Sequence, residues 1–309
     1  MNVPQELDTL RDWLRFTVSR FTQAGLSFGH GSANAYDEAI YLLLHTLHLP
    51  IDRVEPFLDA KLTHAERNEL AALLTRRIDE RVPAAYLTRE AWLGEFRFYV
   101  DERVLIPRSF IAELLPDRLA PHVLDPDAIK SALDLCTGSG CLAVLLAHAF
   151  PAADIDAADI SADALAVAQR NVSDYGLADR INLIRSDLFD NLPGRSYDII
   201  ISNPPYVTTM AMEQLPREYR HEPGLALAGG DDGMDAVRTI LREAPRFLQP
   251  DGVLVVEVGH NRLGAEAAFS RMPFLWLDPA SSPDRLVFLK PDDGRHVRST
   301  VRVPLPAAT

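Results

Sequence analysis

Asn203-Pro204-Pro205-Tyr206, standing directly after the apolar run Tyr197 to Ser202, is the segment of this chain best suited to chemistry. Pro204 pushes Asn203 toward an extended conformation, and neither proline carries an N–H for competing local bonds, so the asparagine amide is aimed. A planar NH2 group placed here meets two acceptors, the Asn203 side-chain oxygen and the Pro204 carbonyl, with the Tyr206 ring available for stacking. Amide and exocyclic base nitrogens are poor nucleophiles because their lone pair is delocalised into the neighbouring π-system. Acceptors on both hydrogens favour rehybridisation and point the lone pair outward. Positioning against an electrophile then supplies much of the remaining acceleration without a strong general base.

Such a group must be held at a strand end. The β-branched run before Asn203 reads as a buried strand, and two prolines can only follow where its ladder has ended. The lip is therefore at a C-terminal strand edge, where open α/β sheets bind ligands. Upstream, Leu133 to Cys136 reads as another strand, Thr137-Gly138-Ser139-Gly140 as a turn, and Leu142 to Phe150 as a helix. Glycines there let backbone approach a bound nucleotide, and the helix N-terminus adds positive dipole. The spacing Gly138-x-Gly140-x-x-Ala143 also fits a dinucleotide fingerprint. Asp134, just before the loop, suits an ammonium group better than a pyrophosphate. The next strand, Asp154 to Asp159, ends in an acid placed to bond ribose hydroxyls, with Asp156 as the fallback, and Ser161 caps a helix over Ala162 to Val172. A third strand, Ile181 to Arg185, leads into Ser186-Asp187-Leu188, where Asp187 meets an adenine edge and Leu188 its face. The cofactor implied is S-adenosylmethionine, whose sulfonium carries an electrophilic methyl.

With these residues in place, Asp134 to Gly140 and Ser202 to Tyr206 resemble a class I methyltransferase acting on a planar nitrogen. Phe98 to Ser109, and Glu222 to Gly230 with Asp232-Gly233-Met234-Asp235, are similar to the HemK/Prm family of protein-(glutamine-N5) methyltransferases. Within it, Val100 to Ser109 resembles the PrmB type, which modifies a glutamine of large-subunit ribosomal protein L-three; Phe110 stands where that pattern has proline. The resemblance implies an α/β fold with a Rossmann-like, seven-stranded doubly wound sheet, a small N-terminal helical domain and a connecting β-hairpin. It implies Asn203, Pro204 and Tyr206 as catalytic residues, and Asn203, Pro204, Pro205, Tyr206 and Arg108 as the substrate contacts. The cofactor contacts it implies are Asp134, Cys136, Thr137, Gly138, Ser139, Gly140, Asp159, Asp187 and Leu188. The expected partner is the free ribosomal protein, before or during assembly.

Bulk properties agree. At 309 residues the chain can hold one large and one small domain. A net charge of −13 argues against a tight nucleic-acid binder and suits a basic protein partner. Cys136 and Cys141 have no metal-ligand spacing, no metal site is expected, and His45 and His48 read as ordinary helix residues. The N-terminus lacks an export signal, and Cys141 to Phe150 falls short of the ~20 apolar residues that span a bilayer, so a cytoplasmic protein is expected.

Periodicity divides the chain. Leu7, Leu10, Leu14, Val18 and Phe21 repeat at helical spacing, as do Ile40, Leu43, Leu44 and Leu47. Thr63 to Glu66 is a capping box for a helix that Pro83 stops. Residues 1–88 are read as a helical substrate-recognition domain, 89–114 as a hairpin connector and 115–291 as the catalytic domain. Residues 292–309 are expected to be a disordered tail. The last strands are expected at Gly252 to Val258, Phe274 to Leu277 and Leu286 to Leu289. Rival readings are glutamine methylation of release factors, methylation of an exocyclic amine on nucleic acid, and a non-catalytic assembly factor. A nucleic-acid enzyme would bring a basic recognition segment and insertion loops for base flipping, which are not seen.

Overall fold

The computed structural model describes residue 4, residues 6–270, residues 272 and 274–277, and residues 286–289. Four helices open the chain: α1 (Leu10–Ala24), α2 (Ala35–Thr46), α3 (His64–Thr75) and α4 (Ala84–Thr88). Their ends follow local chemistry. Thr9 and Asp12 form a capping box on α1, and Thr63 and Glu66 form the one read for α3. Gly25, at φ +59°, ends α1 in the left-handed conformation that glycine adopts freely. Trp13, Phe21, Leu42, Leu43, Leu70 and Leu74 build the core of this domain.

A hairpin follows, β1 (Glu90–Leu93) paired antiparallel with β2 (Phe96–Tyr99) through the turn at Gly94 and Glu95. It is shorter than the sequence reading, because the chain leaves the ladder at Val100 and runs on to Ser109 along the mouth of a cleft. The outer edge of β2 is not bare. Asn171 accepts from Tyr99 N at 2.8 Å and donates to Tyr99 O at 3.0 Å, while the Tyr175 hydroxyl does the same for Arg97. Helix side chains thus stand in for a third strand, which removes an exposed edge.

The large sheet comprises β3 (Ser131–Leu135), β4 (Asp154–Asp159), β5 (Ile181–Arg185), β6 (Tyr197–Ser202), β7 (Leu248–Glu257), β8 (Leu275–Leu277) and β9 (Leu286–Leu289). Its order is β5-β4-β3-β6-β7-β9-β8, with β9 antiparallel to both neighbours. Alternate residues face opposite sides. Ile199, Ile201, Val253 and Val255 pack with α5 (Cys141–Ala149). Leu133, Ile200, Leu254 and Val256 pack with the helix Asp235–Glu243 and with Ala265 of the helix Arg262–Ala268. The strand order reverses between β3 and β6, and at such a switch point diverging loops leave a crevice at the carboxyl ends. β7 starts four residues earlier than read, at Leu248, which pairs with Tyr197 before a register shift brings Val253 opposite Ile199. The expected tail, 292–309, lies outside the described residues.

A small cluster closes the seam between the parts. Val82, Ala85 and Tyr86 of the helical region meet Val100, Val104 and Ile106, together with Ala164 and Val167 of α6 (Ala162–Asp174). The Tyr86 hydroxyl donates to Val104 O at 2.5 Å, so the hairpin exit is fastened to the first domain.

Candidate active site

The crevice is a cavity of about 210 Å3. Its floor is Cys136 to Ser139, one wall Asp159 to Ser161 with Ser186 to Leu188, and the other Asn203 and Pro205. Residues 103–109 and Pro223 to Ala226 close its mouth.

Three strand ends supply the first wall. Gly138 and Gly140 have φ of +56° and +78°, and a Cβ on Gly140 would meet Ala168 Cβ at 3.1 Å, so glycine there also allows α5 to close on α6. Cys136 and Leu188 adopt φ of +60° and +45° without being glycine, so backbone strain lies on the cleft lining itself. Asp159 holds the loop: its carboxylate accepts from Gly138 N at 2.8 Å and from Ser161 N at 2.9 Å. Burial pushes its carboxyl up, against those backbone donors. Asp187 is exposed on the rim and Leu188 half-buried beside it. Burial also raises the thiols of Cys136 and Cys141, which keeps both neutral.

Two acids differ from their sequence readings. Asp134 is wholly buried and does not line the cleft. Its Oδ2 accepts from the Thr137 hydroxyl at 2.6 Å, its Oδ1 has no hydrogen-bond partner within normal geometry among the described residues, and burial pushes the carboxyl up to about 7 against the Thr137 hydroxyl and the Ala143 N–H. Its place is beneath the loop. Asp156, the fallback for the ribose, does not line the cleft either: it bonds Arg195, Tyr197 and Asn182 in a network of its own. Side chains alternate along β4, so Asp156 and Asp159 cannot share a face.

On the opposite wall, the Asn203 side chain makes no hydrogen bond among the described residues and lines the cavity with Pro205. Pro204 is buried behind them. Tyr206 is held in a glycine cradle: a Cβ on Gly229, Gly233 or Gly259 would lie 2.7, 2.3 or 2.4 Å from its Cα, carbonyl oxygen or ring. A parallel bridge from Val207 to Ala228 ties the lip to the same segment. Gly229 and Gly233 of the Glu222 to Asp235 block are therefore required by close approach to the lip.

Arg108 lines the cleft, with both terminal nitrogens on Glu222, at 2.5 and 2.8 Å. Glu222 also accepts from Ile106 N at 3.1 Å, and His30 Nε2 lies 3.5 Å from it. Burial alone would raise the Glu222 carboxyl; His30 and Arg108 hold it down to about 2. Arg103, the other cleft arginine, is paired with Asp101. A second buried pair joins the domains: Arg77 bonds Glu38 at 2.6 Å and reaches Glu218 at 3.4 Å, whose carboxylate also takes Ser27 N.

Residues 114–217 match the family model described as a methyltransferase small domain. A Neisseria meningitidis serogroup B protein named ribosomal protein uL3 glutamine methyltransferase is 60% identical over 285 residues, covering 92% of this chain and 93% of its own. A Burkholderia pseudomallei protein of the same name is 59% identical over 293 residues, covering 93% and 95%. The chain belongs to the uL3 glutamine methyltransferase family. Among solved structures, the ribosomal protein L11 methylase of Lactobacillus delbrueckii subsp. bulgaricus is 17% identical, with a TM-score of 0.39 over 59% of this chain and 74% of that one. At that distance the strand order carries the class I methyltransferase fold by itself.

In this uL3 methyltransferase family member, the sequence reading missed three residues of the site. Glu257 accepts from Ser109, Phe110 and Tyr206 at the end of β7; its trace in the sequence is a lone acid in Val253 to Val258. Glu222 lay within a quoted block but without its partner. Asn171 bonds Ser139 O at 2.8 Å as well as β2, which joins the hairpin to the glycine loop, and nothing in its helix marks it. Phe110 uses its N–H on Glu257, a bond that proline there could not make.

Proposed function

We propose that this methyltransferase uses S-adenosylmethionine to methylate the side-chain amide nitrogen of a glutamine in large-subunit ribosomal protein uL3. The observation that carries the reading is Asn203: an unengaged amide at the lip of a cleft, behind which Tyr206 is immobilised by three glycines. The named relatives supply the acceptor protein.

The residues fit the cofactor. Asp159 and Asp187 bring carboxylate character to the rim, Asp134 adds a buried carboxyl with an unpartnered oxygen beneath the loop, and the cleft arginines are already paired with acids. Such a donor set suits ribose hydroxyls and a cation rather than a pyrophosphate, which would call for unpaired positive charge. Cys136 to Gly140 and Asp159 would hold the nucleoside and amino acid ends, with Asp187 and Leu188 at the base. When bound, the cofactor supplies a sulfonium methyl as the electrophile.

The chain's own part is positional. Asn203 Oδ1 and the Pro204 carbonyl accept the two hydrogens of the glutamine NH2, which weakens its conjugation and turns the nitrogen lone pair toward the cleft. Tyr206 keeps that lip in place, and Arg108 with Pro223 to Ala226 closes the mouth against water. A lip that contacts only an amide cannot tell one glutamine from another. The helical region, tied to the lip's own segment through Arg77 and Glu218, is the part available to select the protein. We place the reaction in the cytoplasm on free uL3, before ribosomal RNA covers it.

The test offers purified enzyme free uL3, a release factor, ribosomal RNA and assembled large subunits, in parallel, with methyl-labelled cofactor. Label on a uL3 glutamine supports the reading. Preferential label on the release factor or RNA overturns the acceptor, and equal rates on free uL3 and on subunits overturn the timing.

A further inference from the structure

Glu257 closes β7, in a run that is otherwise apolar from Val253 to Val258. It is 1% exposed and makes no ion pair among the described residues. A buried acid without a counter-charge is costly, and an apolar residue would continue the strand's pattern at less expense. Three donors nevertheless converge on it: Ser109 Oγ at 2.6 Å, Phe110 N at 2.9 Å and Tyr206 Oη at 3.3 Å. Ser109 and Phe110 belong to the segment crossing the cleft mouth, and Tyr206 to the lip. One oxygen serves each segment, Oε2 the first and Oε1 the second.

We propose that Glu257 is a positioning residue for methyl transfer, holding the lip through Tyr206 and the mouth segment through Ser109 and Phe110 in one register. The proposal rests on reading the lip as the seat of the acceptor amide. The ionised carboxylate accepts from all three donors. A neutral acid, or a glutamine, keeps one oxygen for Ser109 and Phe110 but presents its own donor to Tyr206, whose hydroxyl must then reverse.

Burial pushes the Glu257 carboxyl up to about 7, against the hydrogen bonds from Ser109, Phe110 and Tyr206. The charged or titratable groups facing it are Arg108 and the Tyr206 phenol. Arg108 stays charged, and its partner Glu222 is held near 2, so neither titrates between about pH 5.5 and 8.5. Asp134, beneath the cofactor loop, is also pushed up to about 7, so the Glu257 share of a rise in turnover through neutral pH is the part that Glu257→Gln removes.

The experiment uses full-length wild type, Glu257→Gln, Glu257→Ala, Tyr206→Phe and the Glu257→Gln/Tyr206→Phe double variant. Turnover on free uL3 is measured from about pH 5.5 to 8.5, with hydrogen exchange of peptides covering 104–112 and 203–209. Glu257→Gln is expected to lower kcat about tenfold at pH 8, or about 1.4 kcal/mol. KM for the cofactor should stay within about twofold, the rise in kcat through neutral pH should become shallower than in wild type, and adding Tyr206→Phe should cost little more. Glu257→Ala should quicken exchange in both peptides together. Wild-type kcat and pH profile in Glu257→Gln, additive losses with Tyr206→Phe, or faster exchange in one peptide alone would overturn the proposal. The exchange measurement needs no acceptor, so it judges Glu257 even if wild-type enzyme puts no label on uL3, the outcome that defeats the underlying reading.

Discussion

Arg108 grips Glu222 with both terminal nitrogens across 114 residues of sequence, at 2.5 and 2.8 Å, over the face of the Tyr219 ring. The guanidinium is thereby spent within the protein. Arg108 shapes the cleft mouth and, with Ile106 N, holds the Glu222 block against the segment 106–108, a role different from direct capture of an anionic substrate.

That pair makes stability testable. Removing one member of a buried ion pair leaves the other uncompensated and costs roughly 3–5 kcal/mol, so Glu222→Gln should lower the free energy of unfolding by that scale at pH 7. The folded carboxyl sits near 2, below its ordinary range, so its contribution is present above about pH 4.3 and drains away as pH falls toward 2. Urea titrations across that window should show a steeper acid loss in wild type than in the variant. Parallel curves would refute the assignment.

Asn203→Ala should nearly abolish methyl transfer while leaving cofactor affinity within about twofold. The side chain touches only the reacting amide in the proposed geometry, and loss of one such positioned group costs about 2.7–4 kcal/mol in barrier. Single-turnover transfer to uL3 and calorimetry with the cofactor separate the two effects. Near-normal turnover would remove Asn203 from the mechanism.

Asp159→Asn should act on the cofactor instead. The carboxylate fixes Gly138 N and Ser161 N at once, and an amide presents its NH2 to one of those donors. Cofactor affinity should fall about tenfold, equivalent to about 1.4 kcal/mol, with kcat at saturation changed less. An unchanged dissociation constant by calorimetry contradicts the role.

Gly259→Ala tests the cradle. The residue sits at φ +55°, and the added Cβ would lie 2.4 Å from the Tyr206 ring, so the ring or the backbone must move. Over-packing of this kind costs about 1–3 kcal/mol, and kcat should fall with it while cofactor affinity holds. Gly25→Ala, whose Cβ meets nothing within 4 Å, is the control for backbone strain alone. Equal effects of the two on kcat would show that the Tyr206 contact does not matter.

Much of the site is legible in the sequence, because each of its motifs is contiguous. The lip from Asn203 to Tyr206 directly follows the strand that aims it, Gly138 and Gly140 sit between their strand and helix, and Asp159 and Asp187 lie at strand tips. In each case the residue and the element that points it are neighbours in the chain, so alternation and turn chemistry suffice. The sheet, the leading helices and the hairpin follow from the same local patterns.

Partnership between distant residues was decided only in three dimensions. Nothing in Val253 to Val258 says that Glu257 will meet Ser109, 148 positions earlier, and nothing in α6 says that Asn171 will bond both Tyr99 and Ser139. Glycines at 229, 233 and 259 carry no local mark of their role, yet Tyr206 is the nearest obstacle to a side chain at each. Asp134 and Asp156 had the right residue type near the right strand ends, and depth and strand face removed both from the cleft lining. Local sequence encodes which way a backbone segment points. Which charges and donors meet depends on how the strands, the hairpin exit and the loop after β6 pack together, and that packing has no local signature.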